Sequence, residues 1–184
     1  ANPDEYAGLI VNREFTMRRR GGASFDAAVA FTTISDALGY ATGMVFFARD
    51  ITERMRAEEF EDELLQLSSR LTGISVSEID SALNMALGRI GKFLGADRSY
   101  IFEFSSDGST FSNTYEWCNE GITAEIDNLK DLPLEIFPVW MEKMRAHQNV
   151  IIPSVSKLTD EWKNEREVLE PQGIKSLIAL PMIY

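Results

Sequence analysis

Residues 46–60 read FFARDITERMRAEEF. Phe46, Phe47 and Ala48 continue an apolar run that starts near Tyr40 and suits a strand, whereas from Ile51 onward acids and Arg alternate in blocks that suit a helix. Neither Gly nor Pro separates the two. A strand that feeds a helix without a breaker is a stiff joint, which passes the position of the strand to the helix; a flexible Gly/Ser linker would lose that coupling.

Upstream of the joint, residues 13–20 (REFTMRRR), 23–35 (ASFDAAVAFTTIS) and 40–50 (YATGMVFFARD) read as three strands separated by Gly21-Gly22 and by Asp36 to Gly39. Phe25, Ala27, Val29 and Phe31 alternate with Asp26, Ala28 and Ala30, so an antiparallel meander is expected. Three strands with one apolar face rarely make a complete domain. Residues 1–50 are therefore expected to be the end of a larger unit, with at most one short helix in residues 1–12.

Downstream, Ala57, Phe60, Leu64, Leu67, Leu71 and Ile74 are spaced 3, 4, 3, 4, 3, which is a heptad seam within residues 51–74. Asp50 and Glu53 would occupy seam positions, so the seam starts a turn inside the helix. An amphipathic helix of this length is marginal alone, and a homodimer through it is expected. Glu58-Glu59 and Glu61-Asp62-Glu63 then form a solvated flank that sets pairing, not a cation site or a catalytic pair.

Gly73 stops this helix, and Ser77, with Asp80 three residues on, is placed as the cap of the next. That helix presents Ile79, Leu83, Ala86, Leu87, Ile90 and Leu94 on one face and ends near Gly95. Two alternating runs joined by Ser105-Ser106-Asp107-Gly108 follow as a hairpin, then a segment 121–149 that is helical around 134–146. A strand at 149–155, an acidic helix at about 158–170 and a strand at 174–184 complete an α+β pattern.

The net charge is −11, with five Arg and five acids in residues 1–49 against 13 basic and 24 acidic residues in 50–184. A surface that acidic repels phosphates, which argues against nucleic acid and against direct contact with an anionic membrane. Arg18-Arg19-Arg20 is too short a basic cluster to reverse this. No apolar run approaches the roughly 20 residues of a membrane span, the N-terminal residues lack signal-peptide order, and a single Cys excludes an intrachain disulfide. A cytoplasmic location is expected.

Cys118 and His147 are the only Cys and His and lie 29 residues apart, which is no metal cluster. Cys118 reads as a packed thiol and His147 as a surface residue at a helix C-terminus. There is no Gly-rich phosphate loop, no Gly-x-Ser-x-Gly and no His-x-x-x-His. No catalytic residue, metal ligand or cofactor is assigned.

The order REFTMRRRGGASF, then AVAFTTISDALGYATGMVFFARDITERMRAEE, resembles the last three strands of a PAS domain with its adjoining C-terminal motif. Arg49-Asp50-Ile51-Thr52-Glu53-Arg54 is the specific part. Residues 75–184 resemble a GAF domain of the kind that follows PAS modules in bacterial sensor proteins, through TYEWCNEGI, IDNLKDLPLEIFPVWMEKM, VIIPSVSKL and EREVLEPQGIKSLIALPMIY. The resemblance implies a division into 1–50 (end of a PAS domain), 51–74 (signalling helix) and 75–184 (GAF), with the PAS start and the last GAF strand and helix outside this chain.

It also implies a non-catalytic sensory module that relays ligand or partner binding through the helix to an output domain, a histidine kinase or a diguanylate cyclase. On a GAF-like sheet, Tyr100, Phe102, Tyr115, Trp117, Phe137 and Trp140 are the candidate lining of a small-molecule pocket, with residues 121–149 as its lid. Bilin-binding members pair their Cys with a His, and here the neighbour is Asn119. The rival readings are a structural dimerisation spacer whose cavity is filled by its own side chains, and a GAF-type methionine sulfoxide reductase. The latter chemistry uses several Cys, and this chain has one.

Overall fold

A computed structural model describes residues 11–183, which form two compact units divided after Thr72. The helix expected within residues 1–12 lies outside the described residues, apart from Val11 and Asn12, which are strand, as does Tyr184; the strand expected at 174–184 is confined to Leu177–Ala179.

In the first unit, β1 (Val11–Arg18), β2 (Ser24–Ser35) and β3 (Ala41–Asp50) form the expected antiparallel meander in the order β1-β2-β3. Its register places Phe15 and Asp50 on either side of Ala27. The alternation of β2 is expressed directly: Ala27 and Val29 are buried, and Asp26, Ala28 and Ala30 beside them are not. The β1–β2 turn closes with Arg19 N–H donating to Ala23 O at 2.7 Å, and Gly22 supplies the positive φ of 90° that the turn requires. Between β2 and β3, Asp36 Oδ1 accepts from the backbone N–H of Leu38 and Tyr40. After the single residue Ile51, α1 (Thr52–Leu71) begins, and Gly73 with φ 78° follows its end.

The second unit opens on a short 3-10 turn, Val76–Glu78, which runs into α2 (Ile79–Leu94). The cap is Ser75, not Ser77: Ser75 and Glu78 bond reciprocally as a capping box, and Ser77 Oγ bonds to the Ser75 hydroxyl. Ser75–Glu78 has the same three-residue spacing as Ser77–Asp80, but Glu has the longer reach back to the cap N–H. At the other end Gly95 adopts φ 63° and Ala96 N–H bonds to Gly91 O, so the helix stops where a left-handed residue is cheapest.

β4 (Arg98–Phe104), β5 (Thr110–Cys118) and the two-residue β6 (Leu132–Pro133) form one antiparallel sheet, and β7 (Val150–Ile152) with β8 (Leu177–Ala179) forms a second. The expected helix at 134–146 is a 3-10 turn, Leu134–Ile136, followed by α3 (Pro138–Arg145). The break is Phe137, at φ −128° and ψ 59°, because the residue before a proline is pushed out of the helical region. The acidic helix reduces likewise to a 3-10 turn and α4 (Lys163–Leu169). Val150, Ile152, Val155 and Leu169 form one core cluster and Phe111, Phe137 and Met141 another, with Trp140 packed against both. The α+β class holds: helices and antiparallel sheets are both present.

The β4–β5 turn yields a pH prediction. Asp107 accepts from Ser105 Oγ at 2.7 Å, Ser109 N at 3.0 Å and Ser109 Oγ at 2.8 Å. These bonds, the Ser105 hydroxyl first, lower its pKa from 3.8 to about 2. A depressed carboxylate contributes stability above its unfolded pKa that is lost as pH falls through the folded one. The Asp107 carboxylate should therefore titrate by NMR with a midpoint about 2, loosening the hairpin between 3.8 and that value; a midpoint at or above 3.8 would contradict the turn.

Candidate functional site

The β4–β5 ladder has two faces that are lined differently. Ile101 pairs with Tyr115 but Phe102 pairs with Asn113, so Thr114 is a bulge, and its Oγ1 donates to Ile101 O. One extra residue flips the alternation of β5. Tyr115 and Trp117, grouped by sequence with the other aromatics, consequently face α2 with Ser99. The Tyr115 hydroxyl donates to Asp80 Oδ1 at 2.6 Å, Ser99 Oγ donates to Leu87 O, and the Trp117 indole lies against Gly88 and Gly91.

The opposite face carries Arg98, Tyr100 and Phe102 from β4, with Cys118, Glu116 and Asn113 as their cross-strand partners. The other four aromatics are brought together here, through a residue that the sequence reading passed over, Phe111. Ring centroids run Tyr100 to Phe102 at 5.8 Å, Phe102 to Phe111 at 5.4 Å, Phe111 to Phe137 at 5.4 Å and Phe137 to Trp140 at 5.5 Å. The last two contacts are edge-on, a favourable aromatic geometry.

Charged and polar groups surround this run. Glu116, whose side chain is 1% exposed, accepts from the backbone N–H of Glu125 at 2.9 Å and of Ile126 at 2.7 Å. Arg98 lies 3.9 Å from Glu116, and its donors reach Thr123 O at 3.0 Å and Gln172 O at 3.1 Å. Together they pin the 123–126 loop and the end of the α4 segment to the sheet. At the α3 end, the buried Glu165 carboxylate uses Oε1 to cap the N–H groups of Val139 at 2.8 Å and Trp140 at 3.1 Å.

Some polar atoms on this face have no partner. Both side-chain atoms of Asn113, which is 0% exposed, are buried without a hydrogen bond, as are the Tyr100 hydroxyl and, on α4 rather than on the sheet, Glu165 Oε2. The Asn113 main chain, by contrast, is satisfied by Leu129 O and by the Lys130 ammonium. Burying an unpaired amide costs about 1–3 kcal/mol, so each such group calls for a partner. Burial raises the Tyr100 hydroxyl pKa and outweighs the opposing pull of Arg98, so it remains a neutral donor.

Sequence reasoning missed Arg98, Asn113, Glu116 and Glu165. Alternation could have exposed the first two as polar residues on strand positions, but the bulge hides which face they share. Cys118 is half-buried, and burial followed by the Glu116 carboxylate pushes its thiol up, away from the reactive range. His147 sits just past α3 with φ 56°, a helix-ending position. Among the described residues no group of three or more His, Cys, Asp or Glu is arranged to hold a metal, and no helix is long and apolar enough to cross a membrane.

In the first unit the strand-to-helix joint is bonded from several sides. Asp50 Oδ1 accepts from Thr52 N at 3.0 Å and its other oxygen pairs with Arg19, while Ile51 N–H donates to Asp26 O and Asp26 N–H to Thr52 Oγ1. The Thr52 hydroxyl and then its backbone N–H, with Arg19 adding to them, lower the Asp50 pKa. Arg54 bridges Glu14 of β1 and Glu58 one turn on. Along the seam, Ala57 is exposed, Leu64 is 42% exposed, Phe60, Leu71 and Ile74 are half-buried, and Leu67 is buried.

Comparison with known proteins adds two findings. The GAF domain family model matches residues 78–184. The methanogenesis regulatory histidine kinase FilI of Methanothrix harundinacea (strain 6Ac) is 29% identical over 178 residues, covering 92% of this chain and 20% of that protein. The chain thus spans about a fifth of the length of this relative.

Proposed function

This chain belongs to the GAF domain family, and on that premise we propose that it is a non-catalytic sensory module of a signal-transduction protein. Residues 75–184 take a small molecule on the ring-lined face of the β4–β5 sheet, with the 121–149 segment as lid. The observation that carries this reading is the pair of buried, unpartnered groups, Asn113 and the Tyr100 hydroxyl, set on that face beneath a loop held by Glu116.

Residues 1–50 are the end of a PAS domain and residues 51–74 the signalling helix, paired with a second copy in a cytoplasmic homodimer. Binding changes lid packing, biases the register or rotation of the helix pair, and shifts the population of output states. The output is a histidine kinase, as in the FilI relative; a diguanylate cyclase is the alternative.

The helix pairing makes a separate prediction. Leu64→Asp together with Ala57→Asp places charge on the exposed seam positions and should convert a dimer to a monomer in sedimentation, with little loss of monomer stability because both sites are exposed. An unchanged dimer would remove the helix from the account. The ligand reading is tested by a thermal-shift screen of nucleotides and metabolites, since a molecule that binds only the native state must raise the melting point. A second reading, a spacer filled by its own rings, is favoured by the close Phe102–Phe111–Phe137 contacts and predicts no shift from any compound.

A further inference from the structure

The charged groups on the ring-lined face are already occupied. Arg98 donates to Thr123 O and Gln172 O beside Glu116, and Glu116 accepts from Glu125 N and Ile126 N. Its guanidinium also has Glu125 at 3.8 Å. A ligand bearing a net charge would have to break these bonds or face a pair that is already neutralised. What β4 and β5 themselves leave over is neutral: one amide, with a donor and an acceptor on the same planar group, and one hydroxyl; the remaining unpartnered oxygen of this unit, Glu165 Oε2, belongs to α4, where its sister oxygen caps Val139 and Trp140. The amide and the hydroxyl sit on adjacent strands of one face, since Phe102, two residues from Tyr100, is the cross-strand partner of Asn113.

We propose that the ligand of this face is a small, uncharged, planar molecule with an amide-type edge, a ring lactam or imide. Asn113 Nδ2 donates to the ligand carbonyl and Asn113 Oδ1 accepts from its ring N–H, the pattern that a primary amide and a lactam share in complementary order. The Tyr100 hydroxyl donates to the second lone pair of the same ligand carbonyl, and the ligand ring packs against the run of Phe102, Phe111 and Phe137. Selectivity follows from the burial: a molecule without the edge leaves Asn113 unpaired and gains nothing from it. This inference rests on the reading of the face as a ligand site and narrows it to a chemical class.

The test uses the whole 184-residue chain, three probes, and NMR of the Asn113 side-chain amide, assigned by its absence in Asn113→Leu. The probes are 2-pyridone, which has the edge and no charge, benzoate, which is anionic, and benzylamine, which is cationic. The proposal expects 2-pyridone alone to shift the Asn113 amide. It also expects Tyr100→Phe, which removes only the unpartnered hydroxyl, to weaken that binding several-fold, and Asn113→Leu to weaken it about tenfold or more. Preferential binding of benzoate or benzylamine at these resonances would overturn the neutral class while leaving the face a ligand site. If no probe moves them and the Asn113 amide contacts only water, the class is overturned, and native mass spectrometry of the purified chain then decides whether the face holds any ligand.

Discussion

Glu116→Ala is expected to destabilise the chain by about 3 kcal/mol, the cost of removing one partner from a buried, hydrogen-bonded charge pair. Three consequences add up at one residue. The backbone N–H groups of Glu125 and Ile126 lose their acceptor, the Arg98 guanidinium, 11% exposed, loses one of its two compensating carboxylates, and the loop is no longer tied to β5. Glu116→Gln keeps the shape and one neutral acceptor, so it should lose about 2 kcal/mol, the difference between a charged and a neutral acceptor for two bonds. Urea unfolding of the three proteins reads both values. A loss below about 0.5 kcal/mol for Glu116→Ala, the range of an ordinary surface substitution, would mean that the loop is not held by this carboxylate.

Gly91→Ala should lower stability by about 2 kcal/mol, even though the same substitution at an open helical site gains up to ~1 kcal/mol. A Cβ at Gly91 would stand 2.4 Å from both Cε3 and Cζ3 of Trp117, closer than any relaxed contact, and the indole is wedged between α2 and the sheet. At Gly88 the closest indole atom is 3.1 Å away, so Gly88→Ala should be near neutral, propensity offsetting a small displacement. Combining Gly91→Ala with Trp117→Leu removes the clash, and the double variant should be no less stable than Trp117→Leu alone. Equal losses at the two glycines would show that helix α2 does not approach Trp117 in this way.

Much of the fold was legible because local signals agreed with one another. The meander followed from the alternation of Ala27 and Val29 and from Gly22 at a turn, and α2 followed from its apolar face and from Gly95. Where two signals competed, the sequence misled. Phe137 sits inside a helical apolar pattern, but Pro138 after it forbids the helical conformation, so one expected helix became a turn and a shorter helix.

The candidate site was half legible for a related reason. The sequence groups the aromatic residues of β4 and β5 as one set, yet a single bulge at Thr114 sends Tyr115 and Trp117 to the α2 side and brings Asn113 beside Phe102. A bulge leaves no mark in hydrophobic periodicity except a local phase slip, and β5 is too short for that slip to stand out. Glu165 was hidden differently. It lies in an acidic helix, where one more carboxylate reads as solvated surface, and only the packing of α4 against the start of α3 turns it into a buried cap.

The measurement that bears most directly on a sensory role is native against denaturing mass spectrometry of the gently purified chain, alongside Asn113→Leu. A dimer is expected, carrying non-covalent mass that is released on denaturation and is absent or reduced in the variant. A protein whose native mass is that of polypeptide alone, in both forms, and whose melting point no metabolite raises, would contradict a ligand-sensing module and leave this GAF domain as a spacer packed with its own side chains.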